Sequence, residues 1–473
     1  MRSKFHPCKL LVAALAVLLG GCAVGPDYQR PTTPDVSAFK EAEGWVAAAP
    51  ADALERGPWW SLFGDPVLDG LAARVEVSNQ NVAAAVAAYA QARAVVREQH
   101  AALFPSVTLD GGATRSHSSS SSSSANNSGG RTGNSYQLSM GASWEPDVWG
   151  RLGRAVESSS ASAQASAADL ASAQLSAQGE LAINYLTLRQ TDAQKALLES
   201  TLAGYRRSME IKQNRYTAGI AARTDVLQAQ TQLANAQADD AGLFRQRAQL
   251  EHAIAVLVGE APANFSLAPA AWKPMVPKVP VGVPSTLLQR RPDIATAERG
   301  VAVANEQIGI ARSAYYPSLP LGASYGFGAS RVADLFSASS SVWSLGLSAA
   351  QTLFNAGATR ARVEGSEAAH AQAVARYRQT VLTAFQDVED QLAATRVLLT
   401  QQDLRRQATE AADQVEQQVL NRYRSGQVSY TEVITAQATA LSARRALVQA
   451  MADRQTTAVA LIQSLGGGWQ AGQ

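Results

Sequence analysis

Four segments of the chain alternate large apolar residues with small or polar residues at every second position. They begin near Val107, Tyr136, Leu321 and Trp343. A period of two is typical of β-strands whose two faces meet different surroundings. A soluble sheet would bury the apolar face in a core, whereas an outer-membrane barrel would turn it to lipid. The alternation alone leaves both interpretations open, since runs of ~9–11 residues are long enough to cross a membrane.

Most of the remaining chain carries apolar positions at alternating steps of four and three residues. Residues 155–216 contain no proline and carry one such stripe, and a second lies in the later part of the chain. The positions are Leu198, Leu202, Tyr205, Met209, Lys212 and Tyr216, then Val381, Phe385, Val388, Leu392, Thr395 and Leu399. This heptad spacing indicates coiled-coil helices. At ~1.5 Å per residue, about 60 residues make a helix of roughly 90 Å.

Landmark sequences recur in the same order in two halves of the chain. Arg215-Tyr216-x-x-Gly219 returns 207 residues later as Arg422-Tyr423-x-x-Gly426. Phe104-Pro105-Ser106 returns at an offset of 212 as Tyr316-Pro317-Ser318, and a weaker match sets Trp149-Gly150 against Phe354-Asn355. Such self-similarity indicates two tandem copies of one structural unit. Each copy is predicted to hold two strands and a long helical hairpin.

Turn and breaker residues between these elements set the predicted boundaries. Gly219 and Gly426 fit left-handed caps at the hairpin tips. Residues 116–132 are rich in serine and predict a loop between the first two strands, and residues 262–284 are rich in proline. The predicted segments are a signal peptide at 1–21, a lipid-anchored extended segment at 22–66, a first repeat at 67–258, an equatorial linker at 259–286, a second repeat at 287–465 and a disordered tail at 466–473.

The N-terminus has the order of segments found in secretory signal peptides. Arg2, Lys4 and Lys9 precede the apolar run 10–19, and two glycines then precede Cys22. The run is shorter than the ~20 residues of a membrane-spanning helix. The end of the signal resembles a bacterial lipobox, which implies cleavage before Cys22, lipidation of that cysteine and transfer to the outer membrane. An ordinary signal peptide with a chance cysteine is the alternative.

Charge and cysteine content narrow the function further. Without residues 1–21, the chain has 38 Lys and Arg against 39 Asp and Glu, so no basic excess favours nucleic acid. Its only cysteines are Cys8, in the leader, and Cys22, so the mature fold is predicted to lack disulfides. Aromatic residues make up only 6%, which suits closely packed helices better than a bulky core.

No constellation of residues predicts an enzyme, a cofactor or a metal site. The five histidines are scattered without metal-ligand spacing. Gly466-Gly467-Gly468 stands at the chain end with no Lys-Ser/Thr after it, so it is not a phosphate loop. Asp387 and Asp390 share one helix face, as tunnel-lining residues or as part of a solvated surface.

These features together resemble the TolC-type outer membrane efflux proteins, in their lipoprotein branch. Besides the two Arg-Tyr-x-x-Gly turns, the resemblance rests on Trp59-Trp60-x-x-Phe63-x-Asp65-Pro66 and on Leu287-Leu288-x-x-Arg291-Pro292-Asp293-Ile294-x-x-Ala297-Glu298. It implies an α+β membrane protein in which a trimeric 12-stranded β-barrel, with four strands per chain, continues into a long periplasmic α-helical barrel. It also implies a periplasmic adaptor and an inner-membrane pump as partners.

The strand count supports a trimer independently of this resemblance. Four strands cannot close a barrel, because the smallest single-chain barrels have ~8. An open edge in lipid would leave backbone groups unsatisfied, at several kcal/mol each. The strands must therefore be shared between chains. Two chains would give eight strands and three would give twelve, and only the wider ring leaves a useful bore.

The resemblance also points to polar residues at the hairpin tips, where it places the periplasmic mouth. It implies a gate at Thr224, Asp225, Tyr423 and Glu432, with adaptor binding at the tips bearing Gly219 and Gly426. Glu432 matches one of two acidic positions of the constriction, and the second is Thr435 here. A basic residue that ties the family mouth through Asp225 corresponds to Val428. The resemblance still implies a pairing of Thr224 with Tyr423. Helix capping is the simpler interpretation, especially of Thr224 and Asp225.

The predicted function is that of an outer-membrane channel subunit of a tripartite efflux pump, lipid-anchored and extending into the periplasm. It would export small molecules such as drugs. A structural lipoprotein that does not conduct and a surface adhesin with a trimeric stalk are the alternatives. Paired strands in each repeat disfavour the adhesin, and ion conductance separates both alternatives from a channel.

Overall fold

The computed structural model describes residues 23–33, 38–41, 58–118, 131–277, 279 and 290–467. The predicted signal peptide, Cys22, most of the predicted serine-rich loop and part of the predicted linker lie outside these residues. The chain forms two compact units. The strand unit consists of Met1–Pro31, Ala90–Ala165 and Ala297–Tyr377, and the hairpin unit of Thr32–Tyr89, Ser166–Thr296 and Arg378–Gln473.

The described chain alternates helices and strands in the predicted order. The elements are α1 (Pro66–Ser78), α2 (Gln80–Ala101), β1 (Ser106–Ser118), β2 (Arg131–Trp144), α3 (Arg151–Thr217), α4 (Arg223–Leu257), α5 (Pro292–Ser313), β3 (Leu321–Ala329), β4 (Ser341–Leu347), α6 (Ala358–Arg424) and α7 (Tyr430–Ser464). Among the described helices, none combines the length and the apolar character needed to cross a bilayer.

The helices bear out the two predicted copies. Helices α3 and α6 both have 67 residues and begin 207 residues apart, and α4 and α7 both have 35. Helices α2 and α5 both have 22 residues and begin 212 apart. The weaker third match was misaligned by two residues. Gly150 (φ 76°) and Gly357 (φ 89°) each directly precede a long helix, so Gly357 and not Asn355 is the counterpart of Gly150.

The four strands form one antiparallel sheet in the order β1-β2-β3-β4. Its register sets Leu109 opposite Met140, Met140 opposite Tyr325, and Tyr325 opposite Trp343. The alternating apolar residues therefore share one face across all four strands. Their side chains stay exposed, with Leu109 at 69% and Trp343 at 73%. The described residues do not cover this face, which favours the membrane interpretation over a soluble sheet.

The tryptophan motif before α1 builds part of the hairpin-unit core. Trp59, Trp60 and Phe63 are all buried. Asp65 caps α1 by accepting the Val67 N–H at 2.9 Å, and it also accepts the Tyr185 hydroxyl at 2.6 Å. Burial, with this hydrogen bond, raises the pKa of Tyr185 to about 12. The motif thus joins a helix cap to a core contact with α3.

The second motif fixes the start of α5. Pro292 occupies the first helical position, where its missing N–H costs nothing. The Arg291 guanidinium binds both carboxylate oxygens of Asp293, at 3.0 and 2.7 Å, and Asp387 Oδ2 at 3.0 Å. It also donates to the Ser464 carbonyl at the end of α7. Asp387, one of the two aspartates with a tunnel-lining or surface interpretation, is therefore held by an ion pair within the chain.

Both hairpin tips turn through the predicted left-handed glycines. Gly219 has φ 71° and Gly426 has φ 74°. In each tip the residue after the glycine donates to the carbonyl of the motif arginine, Ile220 to Arg215 at 2.8 Å and Gln427 to Arg422 at 2.9 Å. This is the Schellman pattern. Helix α7 ends the same way, so Gly466 and Gly467 belong to a helix cap and not to the predicted disordered tail.

We predict that two cap glycines with nearly equal φ differ in their tolerance of alanine. A Cβ at Gly426 would have nothing within 4 Å, whereas at Gly259 (φ 75°) it would lie 2.2 Å from the Ser78 carbonyl oxygen. Gly426→Ala should cost only the left-handed conformation, ~1–2 kcal/mol. Gly259→Ala should add a backbone clash and lower the melting temperature clearly more, measured by circular dichroism. Equal losses would show that the contact at Ser78 relaxes freely.

Candidate functional site

A buried lysine ties the helix ends at the two hairpin tips. The Lys212 ammonium, on α3, donates to Asp225 Oδ2 on α4 at 2.9 Å and to the Tyr423 hydroxyl on α6 at 2.7 Å. It also lies 4.0 Å from the ring centroid of Tyr430, at the start of α7. All four hairpin helices therefore contribute to one cluster, which we call the lysine clamp (Lys212, Asp225, Tyr423 and Tyr430).

The heptad stripe explains why this lysine is buried. Leu198, Leu202 and Tyr205 precede it on the same face of α3 and are at most 3% exposed. Lys212 continues that face and is itself 3% exposed. An ammonium removed from water needs a counter-charge and acceptors. Asp225 supplies the charge, Tyr423 the acceptor, and the tyrosine rings a cation–π contact.

The structure brings together two of the four predicted gate residues. Asp225 and Tyr423 meet through Lys212, whereas Thr224 is exposed and no hydrogen bond to Tyr423 is found for it among the described residues. The capping interpretation holds for Glu432, whose Oε1 accepts the Ser429 N–H at 3.4 Å. It does not hold for Thr224 and Asp225, because the N-cap residue of α4 is Ala222 and no side chain caps that helix.

Sequence reasoning missed the role of Lys212. The resemblance implies a basic partner of Asp225 at position 428, where this chain has valine. The available signal was the lysine itself, since a charged residue within an apolar heptad stripe needs a buried partner. At the offset of 207, its counterpart in the second repeat is Val419 and that of Asp225 is Glu432. The second repeat therefore keeps the acid without the lysine.

The residues that follow Cys22 are docked in the strand unit. The Val24 N–H donates to the Trp149 carbonyl at 3.1 Å. Arg154 is 5% exposed and donates to the Pro26 carbonyl at 3.1 Å while it pairs with Glu306 at 2.6 Å. A Cβ on Gly150 would meet Ala23 at 3.0 Å, so the chain passes directly over the start of α3.

A second anchor follows a few residues further on. Glu298 accepts the Tyr28 hydroxyl at 3.3 Å and pairs with Arg30 at 2.8 Å. Burial, and next the negative charge of Glu298, raise the pKa of Tyr28 to about 12. The glutamate of the second family motif therefore holds the N-terminal segment.

An aromatic stack closes the junction between β2 and β3. The rings of Trp149 and Tyr316 lie 4.8 Å apart at an interplanar angle of 28°. The indole N–H of Trp149 donates to the Pro317 carbonyl at 2.7 Å. Aromatic residues at the ends of membrane strands favour the membrane–water interface.

Among the described residues, no group of three or more His, Cys, Asp or Glu side chains could hold a metal ion.

Comparison with known proteins agrees with this architecture. The model of the outer membrane efflux protein family matches residues 71–260 and 283–467. The chain is 32% identical over 470 residues to the probable efflux pump outer membrane protein TtgC of Pseudomonas putida, covering 98% of this chain and 96% of that protein.

Two solved channels share the fold over nearly their whole length. The outer-membrane channel OprN superposes with a TM-score of 0.83 at 31% identity, covering 95% of this chain and 100% of that one. The open state of the Neisseria gonorrhoeae MtrE outer membrane channel gives a TM-score of 0.82 at 27% identity, covering 95% and 99%. The resemblance and the fold class inferred from sequence are thereby confirmed: this chain belongs to the outer membrane efflux protein family, whose members are transport channels of the outer membrane.

Proposed function

We propose that three copies of this chain form the outer-membrane duct of a tripartite efflux pump. The observation that carries the proposal is the exposed apolar face of the four-stranded sheet. Turned outwards to lipid, that face is satisfied without further protein. The opposite face, with Thr108, Ser139, Ser324 and Ser344, would then line a wet bore.

The number of copies follows from the two open edges. Strands β1 and β4 end the sheet, and lipid offers their N–H and C=O groups no partner. Three chains give twelve strands, which enclose a channel, whereas eight enclose little more than side chains. Helices α3 and α6, at 67 residues and ~1.5 Å per residue, are ~100 Å long and would continue the duct into the periplasm.

The hairpin tips are the natural contact for the other pump components. Both tip glycines are open, with nothing within 4 Å of an added Cβ. A periplasmic adaptor would bind these tips and connect the duct to an inner-membrane pump, which would choose the cargo. TtgC is described as an efflux pump outer membrane protein, and small molecules such as drugs are the cargo class that a wide polar duct admits.

Cys22 would anchor the N-terminus in the inner leaflet of the outer membrane. The lipobox-like signal motivates this assignment. The docking of Ala23 and Val24 beside the Trp149–Tyr316 stack supports it, because aromatic residues of this kind favour the membrane interface.

Reconstitution tests the duct directly. We expect three chains in detergent by native mass measurement and ion conductance in planar bilayers, because only a closed ring both satisfies the strand edges and leaves a bore. A trimer without conductance would favour the structural lipoprotein or the adhesin. A stable monomer that conducts would contradict the shared barrel.

Replacing Cys22 by Ser tests the anchor. The variant should lose acyl labelling and keep its leader, because the lipid-dependent signal peptidase acts only after the cysteine is modified. Cys8→Ser, in the leader, is the matched control and should be labelled and processed like the parent. Labelled, processed Cys22→Ser protein would rule out lipidation at this position.

We predict that the lysine clamp holds the mouth nearly closed. Tyr423→Phe removes one hydrogen bond to Lys212, at ~0.5–1.5 kcal/mol per chain. Three chains together lose ~3 kcal/mol, which raises the open population ~100-fold at 1.4 kcal/mol per factor of ten. Single-channel recordings should therefore show more or longer openings. Lys212→Met should do at least as much, since it leaves Asp225 without its counter-charge.

Two variants complete the gate experiment. Lys195→Met is the matched control, because Lys195 lies on the same helix outside the lysine clamp, where it pairs with Glu199 at 3.6 Å and lies 5.9 Å from the Phe244 ring centroid. Glu432→Gln should weaken cation preference while keeping the helix cap, because the amide oxygen still accepts the Ser429 N–H. Parental conductance and selectivity in Tyr423→Phe, Lys212→Met and Glu432→Gln would place the gate elsewhere.

A further inference from the structure

The two repeats are related inside the sheet by two offsets. Ser106 pairs with Ser143 in the first copy and Ser318 with Ala350 in the second. Corresponding residues of β1 and β3 are thus 212 positions apart, and corresponding residues of β2 and β4 are 207 positions apart. One side-chain hydrogen bond occurs at equivalent positions in both copies. Trp144 Nε1 donates to the Leu103 carbonyl at 2.9 Å, and Gln351 Nε2 donates to the Tyr315 carbonyl at 3.1 Å.

The β2–β3 junction serves as a template for the junction between chains. In β2–β3, the second strand of one copy meets the first strand of the other copy, with Met140 opposite Tyr325. In a closed ring, β4 meets β1 of the next chain, which is the same kind of junction. Shifting Met140 by 207 gives Leu347, and shifting Tyr325 back by 212 gives Ala113.

We infer that β4 of one chain pairs with β1 of the next in this repeat-prescribed register, with Leu347 opposite Ala113 of its neighbour. The inference rests on the proposed trimer and adds the contact that closes it. Leu138 opposite Phe327 becomes Leu345 opposite Arg115 of the next chain by the same shift. The register is not used within one chain, because β1 and β4 lie at opposite edges of the sheet.

The two faces of the sheet provide an independent check. Leu345 and Leu347 lie on the apolar face, since they pair with Ala323 and Leu321. Ala113 lies on the same face, opposite Tyr136. The transferred register therefore continues the apolar face from chain to chain. A slip of one residue would turn every side chain of one strand to the wrong face.

The template also holds beyond the ends of the strands. Continued from Trp144 opposite Leu321, the β2–β3 register sets Trp149 opposite Tyr316, and these rings do stack, at 4.8 Å. Continued in the same way, β4 and the next β1 set Ala356 opposite Phe104 of the next chain. The residue at the tryptophan position is thus too small to cover that ring.

Two exposed residues shortly before Ala356 can cover Phe104 of the next chain in place of a tryptophan ring. Leu353 is 90% and Phe354 88% exposed, while Phe104 is 60% and Val107 63% exposed. The register sets Leu353 opposite Val107 of the next chain and Phe354 beside Phe104. We call this contact the seam (Leu353 and Phe354 of one chain, Phe104 and Val107 of the next). It would bury apolar residues at the position where Trp149 and Tyr316 close the junction within a chain.

Disulfide crosslinking tests the register. Ala113→Cys with Leu347→Cys should form interchain bonds, because directly opposite strand residues have Cα atoms ~4.5–5.5 Å apart and disulfides need ~4.4–6.8 Å. Ala113→Cys with Leu345→Cys, displaced by two residues on the same face, should crosslink roughly tenfold less. An intrachain bond is excluded, since three strand spacings of ~4.8 Å separate the two edges. Single-cysteine variants measure the background from Cys22.

Native mass measurement accompanies the denaturing, non-reducing gels. Covalent trimers with Leu347→Cys and few with Leu345→Cys support the inference. Three chains by mass, with the Leu345→Cys pair crosslinking better or with neither pair crosslinking, would overturn the register while leaving the proposed trimer intact. A single chain by mass would remove the proposed trimer and the register with it.

The seam has its own measurement. Leu353→Ser should lower the temperature at which the trimer dissociates in detergent, because it removes an apolar side chain from the contact with Val107. Val332→Ser is the matched control, since Val332 is also exposed, at 61%, but lies in the turn between β3 and β4. Equal dissociation temperatures for the parent and both variants would remove Leu353 from the interface.

Discussion

The sheet of four strands exposes an apolar face and two open edges, and one chain can satisfy neither. Lipid satisfies the face but not the edges, because it offers backbone groups no hydrogen-bond partner, at a cost of several kcal/mol for each group. The edges therefore require other chains of the same kind. The heptad stripes of the long helices, by contrast, already bury Leu198, Leu202 and Val388 within one chain. The unpaired backbone groups at the sheet edges, and not the packing of the helices, therefore require further chains.

The repeats show where this architecture tolerates change. Helices α3 and α6 keep the same 67 residues, and α4 and α7 the same 35. An insertion in a packed heptad helix would shift every later side chain out of its place, so equal lengths are enforced. The strands differ freely, with 13 and 14 residues in the first copy but 9 and 7 in the second. Differences in the length of strand ends and surface loops cost little free energy, because they do not displace packed side chains.

Periodic features could be predicted from sequence because each depends on neighbours along the chain. Strand alternation, heptad stripes and the Arg-Tyr-x-x-Gly turns all belong to this class, and the structure has them where they were expected. The lysine clamp depends on four helix ends that are distant in sequence, so only an isolated clue, Lys212 in an apolar stripe, was available. The helix cap at Gly466 and Gly467 could not be predicted, because composition alone does not distinguish a glycine cap from a disordered end.

Divergence between the repeats gives the tips an unequal charge. Lys212 pairs with Asp225 in the first copy. Its counterpart in the second copy is Val419, so Glu432, the counterpart of Asp225, is exposed and no salt bridge is found for it among the described residues. In the proposed duct each chain would then bring one compensated and one uncompensated carboxylate to the mouth. Three uncompensated charges repel one another less than six would. A mouth built this way can close with a weaker clamp and still present a negative ring to arriving cations.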